Sequence, residues 1–142
     1  MKVELIALTR FLGGDGTPDE LLEFAGRVCY RSQPRSDAGD FVMKRVREGH
    51  ESIIEHASAT FFITGISRAC SHQIVRHRIA SYSQESQRYV DLSEPEFVAP
   101  PAIEADPQAR AIWDEFVDRA AETYQKLRAR GVRKEDSRFL LP

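Results

Sequence analysis

The stretch ASATFFITGISRACSHQIVRHR, residues 57–78, decides the fold. In its first part Ala57, Ala59, Phe61 and Ile63 face one way while Ser58, Thr60, Phe62 and Thr64 face the other. That is the period of a strand. Arg68 to about Arg78 reads as a helix, with Ser67 placed to cap it. A strand feeding directly into a cationic helix predicts a mixed α/β (α+β) domain.

Working outward, KVELIAL at 2–8 has the β-branched and leucine content of a buried strand, ended by GGDG at 13–16. Thr17, Pro18 and Glu20 form a capping box with proline in the first turn. Leu21, Leu22, Phe24, Ala25, Val28 and Cys29 supply that helix with an apolar stripe. SQPRSDAGD at 32–40 is a loop by composition, and a second helix carries Phe41, Val42 and Val46 and stops at Gly49. Ser52 and Glu55 repeat the capping-box pattern over a short turn. Past the decisive stretch, EPEFVAPP holds a short edge segment between prolines. Asp106 and Pro107 open the longest helix, where Ile112-Trp113, Phe116-Val117, Ala120-Ala121, Tyr124 and Leu127 make a wide packing face that Gly131 closes. VRKEDSRFLLP begins a further helix with Val132, Phe139 and Leu140 as core positions.

At 142 residues, 42% hydrophobic and 30% charged, the composition is that of a soluble globular chain with one compact core, read as a single domain over 1–142. No apolar run approaches the roughly 20 residues of a membrane span, and MKVELIALTRFL has no Ala-type cleavage site. A cytoplasmic location is expected, with Cys29 and Cys70 as reduced core cysteines. A net charge of -2 and the acidic DLSEPE and EADPQ segments argue against nucleic acid as a partner. Charge distribution says more than the total. Between Arg68 and Arg88 lie four arginines, two histidines and a single acid, Glu85, the footprint of a small anionic ligand.

Chemistry concentrates between Gln73 and Tyr89. On a helix Arg76, His77 and Arg78 fan out by about 100° each, so Arg76 shares a face with His72 and Gln73 while Arg78 reaches elsewhere. Such a fan suits an elongated polyanion or two ligands meeting at the helix. Ser81, Ser83 and Ser86 add hydroxyls, Arg88 adds a fork for phosphate or carboxylate, and Gln84 can read an amide-like edge of a base. No serine has a His-Asp arrangement beside it in sequence, which disfavours a hydrolase triad. His50, His56, His72 and His77 are too widely spaced for a metal site, and none is expected.

Arg76-His77-Arg78, then Ser81, then Ser86-Gln87-Arg88 resemble the RHR…S…SxR motif of flavin-dependent thymidylate synthase. The likeness extends through GHESIIEHASATFFITGISR upstream, KVELIA at the start and RKEDSRFLLP at the end. The resemblance implies that family's fold, a homotetramer with FAD at subunit interfaces, and conversion of dUMP to dTMP. In that reaction 5,10-methylenetetrahydrofolate supplies the one-carbon unit and NADPH the reducing equivalents. By the same resemblance, Arg88, Ser86 and His56 are the catalytic candidates, and Ser58, Arg76, His77, Arg78 and Gln84 contact the cofactor. Gln73, Arg76, Gln84, Glu85, Ser86, Gln87 and Arg88 form the deoxyuridylate pocket, with Arg138 contributed from a neighbouring chain. No cysteine attacks the pyrimidine in this family, and Cys29 and Cys70 lie beside no obvious base. The family pattern continues past LLP, whereas this sequence stops at Pro142. The expectation is therefore a fold incomplete at its C-terminus. The alternative reading is a truncated or degenerate oligomeric module that binds nucleotide or flavin without turnover.

Overall fold

A computed structural model describes residues 1–142, which divide into two compact units, Met1–Thr64 and Gly65–Pro142. Buried side chains gather around Leu22 and Val42 in the first unit and around Val117, Ala120 and Tyr124 in the second.

In the first unit strand β1 (Lys2–Leu8) pairs antiparallel with β2 (Ala59–Thr64). The register runs from Lys2↔Thr64 to Leu5↔Phe61, shifts across Ile6, and resumes at Ala7↔Thr60 and Leu8↔Ala59. Helix α1 (Pro18–Val28) starts on the expected capping box: Glu20 N–H donates to Thr17 Oγ1 at 3.2 Å and Thr17 N–H to Glu20 Oε2 at 3.0 Å. Those donors, the Thr17 backbone first, hold the Glu20 carboxyl below the usual carboxylate range. Helix α2 (Ala38–Arg47) begins inside the stretch expected to be loop, because Asp37 accepts from the N–H groups of Gly39 and Asp40. Gly49, at φ 84°, turns the chain into a 3₁₀ turn over Glu51–His56. The helices cross closely at Gly26, where a Cβ atom would lie 2.9 Å from the Phe41 ring and 3.5 Å from Ile53.

Several expectations for this unit are corrected. The strand at 2–8 forms but is not buried: Val3, Leu5, Ile6 and Leu8 each leave half or more of their surface open, as do Phe61 and Phe62. The helices pack on one another and on the 3₁₀ turn, leaving the ladder's faces bare. Phe24, Val28 and Cys29 are exposed too, because the buried face of α1 rotates onto Leu22, Glu23 and Gly26. The Ser52–Glu55 capping box does not form; His50 occupies the cap position of a 3₁₀ turn, which places Ser52 already inside it.

The second unit begins with α3 (Arg68–Ile74), whose cap Ser67 accepts from Cys70 N–H at 3.1 Å. Residues 95–100 form no edge segment and lead into a single turn, α4 (Pro101–Glu104). Asp106 caps α5 (Pro107–Ala129) through Gln108 and Ala109, and Gly131, at φ 82°, lets the chain turn away after it. Of the expected packing face only Val117, Ala120 and Tyr124 are buried, while Ile112 and Phe116 are exposed. Tyr124 is fully buried; its hydroxyl accepts Leu92 N–H at 3.3 Å, and Gln125 donates to the Ser93 carbonyl, so residues 91–93 dock on α5. The chain closes with α6 (Lys134–Ser137) and a 3₁₀ turn over Arg138–Leu140. Ser137 is buried there, whereas Phe139 and Leu140 are exposed and are not core positions. Cys70 is also exposed, so neither cysteine is a core residue.

Candidate active site

Helix α3 ends at Ile74, short of the Arg78 that sequence periodicity implies. Arg76 N–H donates to the Gln73 carbonyl at 3.1 Å and His77 N–H to that of Ile74 at 3.0 Å, tightening the last turn. Ile74 and Val75 are the last half-buried side chains, and Arg76, His77 and Arg78 beyond them are all exposed. No apolar contact sustains further helix, and a short helix depends on such contacts. The cationic triplet therefore leaves the helix in a turn, and its side chains are not spaced by helical geometry.

The loop after the triplet is tied back to α3. Arg68 Nη1 donates to the Glu85 carbonyl at 3.1 Å. Ser71 spends its hydroxyl proton on the Arg68 carbonyl at 2.9 Å, so its oxygen accepts from Gln84 Nε2. That relay fixes the orientation of the Gln84 amide and leaves its Oε1 as an acceptor. Sequence reasoning singles out Gln84 and Glu85 and counts Arg68 only toward the ligand-binding charge; it misses Ser71 and the anchoring role of both. Their helical spacing of three residues was the available signal.

Farther along, Ser86 Oγ accepts from Arg88 N–H at 3.3 Å, a local turn that presents the Arg88 side chain, whose guanidinium carbon lies 5.8 Å from the Tyr89 ring centre. Lys134 of α6 donates to the Tyr89 carbonyl at 2.9 Å, docking this end of the loop. Gln87 and Arg138, far apart in sequence, line one cleft of about 190 Å³ with Phe139. Arg138 thus stands beside Gln87 within a single chain. Gln73, Ser81, Ser83 and Arg88 are exposed, and Ser86 and Gln87 half-buried.

Two site candidates belong to the first unit. His56 is the exposed last residue of the 3₁₀ turn, and Ser58 is exposed just before β2. Ser58 is held by Thr9, the residue after β1: Thr9 N–H donates to the Ser58 carbonyl at 3.0 Å and Ser58 N–H to Thr9 Oγ1 at 2.8 Å.

Arg68, Arg76, Arg78, Arg88 and Arg138 form no ion pair, nor do Arg10, Arg31, Arg35, Arg47 and Arg130, whereas Arg27, Arg45, Arg110, Arg119, Arg128 and Arg133 do. Arg68, Arg76, Arg78 and Arg88 are set apart by clustering between positions 68 and 88 without a carboxylate at ion-pair distance, Arg68 being engaged by the Glu85 carbonyl. No grouping of His, Cys, Asp and Glu is close enough to hold a metal ion. No helix is long and apolar enough to cross a membrane.

A family profile described as thymidylate synthase complementing protein matches residues 10–142. The flavin-dependent thymidylate synthase of Mycobacteroides abscessus is 44% identical over 141 residues, covering 89% of this chain and 56% of that protein. The chain belongs to the flavin-dependent thymidylate synthase family. A second member, from Mycobacterium tuberculosis strain H37Ra, is 43% identical over 144 residues, 92% of this chain and 57% of its own length. The chain thus spans a little more than half the length of the curated family members it matches. The fold of the family is present as well. A solved structure of a UMP/dUMP methylase from Streptomyces cacaoi, bound with 5-Br dUMP, superposes with a TM-score of 0.76 over 99% of this chain and 67% of that one, at 24% identity.

Proposed function

We propose that this chain contributes to the nucleotide and flavin sites of an enzyme that methylates dUMP to dTMP, with 5,10-methylenetetrahydrofolate as one-carbon donor and NADPH as reductant. The observation that carries the reading is the run of unpaired arginines from Arg68 to Arg88, set among hydroxyls and amides. A guanidinium without a carboxylate partner is a ready fork for phosphate. This donor set fits both a nucleotide monophosphate and the pyrophosphate of FAD. When bound, FAD supplies hydride-transfer chemistry.

In this reading Arg76, His77 and Arg78 hold the flavin, with Arg76 also near the nucleotide, and His56 and Ser58 contact the cofactor. Gln73, Ser86, Gln87, Arg88 and Arg138 receive dUMP, with Glu85 beside them. Gln84 Oε1 is the acceptor for an imide N–H of uracil, its amide held in that sense by Ser71. Arg88 stabilises negative charge as it builds on the pyrimidine, where a fixed cation does most. Ser86 hydrogen-bonds the nucleotide, its Oγ accepting from Arg88 N–H and keeping its own proton to donate. We read residues 1–142 as one cytoplasmic domain that assembles as a homotetramer; the bare apolar faces of the β1–β2 ladder and the exposed Phe116 and Phe139 support association. The test of turnover is tritium release from C5-labelled dUMP with FAD, NADPH and methylenetetrahydrofolate supplied. It is run on this chain and on one extended by the further length its relatives carry. Release by either supports the reading. Silence in both, with flavin still bound, favours a binding module without turnover.

A further inference from the structure

We propose that Thr9 is a positioning residue for the flavin site, acting through Ser58; the proposal rests on the reading of Ser58 as a cofactor contact. The ladder of β1 and β2 ends at Leu8↔Ala59, and Thr9 and Ser58 add one more cross-strand pair beyond it. That pair is irregular in a specific way. Thr9 N–H donates to the Ser58 carbonyl at 3.0 Å, but the return bond from Ser58 N–H goes to the Thr9 hydroxyl, at 2.8 Å. The same hydroxyl lies 3.1 Å from Ser58 Oγ and 3.2 Å from the Ser58 carbonyl.

Thr9 Oγ1 has one proton and two lone pairs, and one lone pair is engaged by Ser58 N–H. The Thr9 proton goes to the Ser58 carbonyl, whose second lone pair is open, or to Ser58 Oγ, and in both arrangements the two hydroxyls stay bonded. Either way Thr9 Oγ1 holds Ser58 Oγ in place, and Ser58 Oγ keeps hydrogen-bonding capacity for a further partner. Thr9 is half-buried and Ser58 exposed, so the supported residue is open to an arriving ligand. The pair offers a hydroxyl held in one position, suited to a polar group of the flavin. Because Ser58 is already oriented, ordering it on binding costs less than ordering a free hydroxyl rotor.

The test is a titration with FAD, read by quenching of flavin fluorescence, on the 142-residue chain, Thr9→Val, Thr9→Ser, Ser58→Ala and the Thr9→Val/Ser58→Ala pair. Thr9→Val keeps the shape and removes the hydroxyl. It is expected to weaken FAD binding about three- to tenfold, the scale of one neutral hydrogen bond. Thr9→Ser restores affinity to within about twofold, and Thr9→Val adds nothing in the Ser58→Ala background. If Thr9→Val lowers the melting temperature, Thr9→Ala compared with Thr9→Ser makes the same comparison. Two results overturn the proposal alone: wild-type affinity in Thr9→Val while Ser58→Ala is weakened, or an undiminished Thr9→Val effect without the Ser58 hydroxyl. Unchanged affinity in Ser58→Ala, or no quenching by the wild-type chain, overturns the cofactor role of Ser58 and this proposal with it.

Discussion

Replacing Arg27 by alanine is expected to destabilise residues 1–64 far more than loss of a helix-surface ion pair. Arg27 donates to Glu23 Oε1 through Nε at 2.8 Å and Nη2 at 2.7 Å, and the two side chains are only 11% and 10% exposed. Its Nη1 also donates to the Gln33 carbonyl at 2.8 Å and to Ser32, and its guanidinium carbon stands 4.4 Å from the Phe41 ring centre. An exposed i,i+4 pair contributes about 0.3–0.5 kcal/mol. Here Arg27→Ala strands a carboxylate that is nine-tenths withdrawn from water, a class of change that costs about 3–5 kcal/mol. It also removes the stack on Phe41. Total stability of a domain this size is on the order of 5–15 kcal/mol, so the loss is readily measured. Urea unfolding of the wild type, Arg27→Ala and Glu23→Met/Arg27→Met decides the matter. The single variant is expected to lose about 3–4 kcal/mol, and the double to recover most of it because no charge is left stranded. A loss below about 1 kcal/mol in Arg27→Ala, or a double variant as weak as the single, refutes the reasoning. The consequence reaches the candidate site, because α1 packs on the 3₁₀ turn that ends in His56.

Four further outcomes follow from the site and from the first helix. Arg88→Ala should lower turnover by the equivalent of about 2–4 kcal/mol while weakening dUMP binding less, whereas Ser86→Ala keeps measurable dTMP formation; both are read in steady-state assays. Ser71→Ala removes the relay that orients Gln84 and is expected to raise KM for dUMP with little change in melting temperature, the bond being exposed. Glu20 is held below its ordinary range when folded, so its contribution is present above the unfolded value and lost as pH falls through the folded one. The N-terminal turn of α1 should therefore loosen only as pH falls below the ordinary carboxylate range, seen as faster amide exchange at Glu20, and Glu20→Gln should remove that pH dependence.

What was legible in the sequence was local. Thr17 with Glu20, Ser67, Asp106 and Gly131 each act over a few residues, and each stands where its pattern placed it. The end of α3 was not legible. Periodicity carries no statement about whether a partner surface exists, and without one the helix stops at Ile74. The strand at 2–8 shows the same limit: its residues are apolar, but nothing in its own unit covers them. At the site, the arginines and serines announced themselves by charge and spacing. The residues that hold them did not, because Ser71 reaches Gln84 over 13 positions, Arg68 reaches Glu85 over 17, and Thr9 reaches Ser58 over 49. Such bonds exist only once the chain has folded.

The central claim is that the unpaired arginines between Arg68 and Arg88 receive a nucleotide phosphate, and calorimetric titration of the chain with dUMP and with deoxyuridine tests it most directly. The account predicts that dUMP binds, that deoxyuridine binds at least about tenfold more weakly, and that the difference shrinks as salt is raised and in Arg88→Ala. Equal affinity for the two ligands, unaffected by salt or by Arg88→Ala, would contradict it.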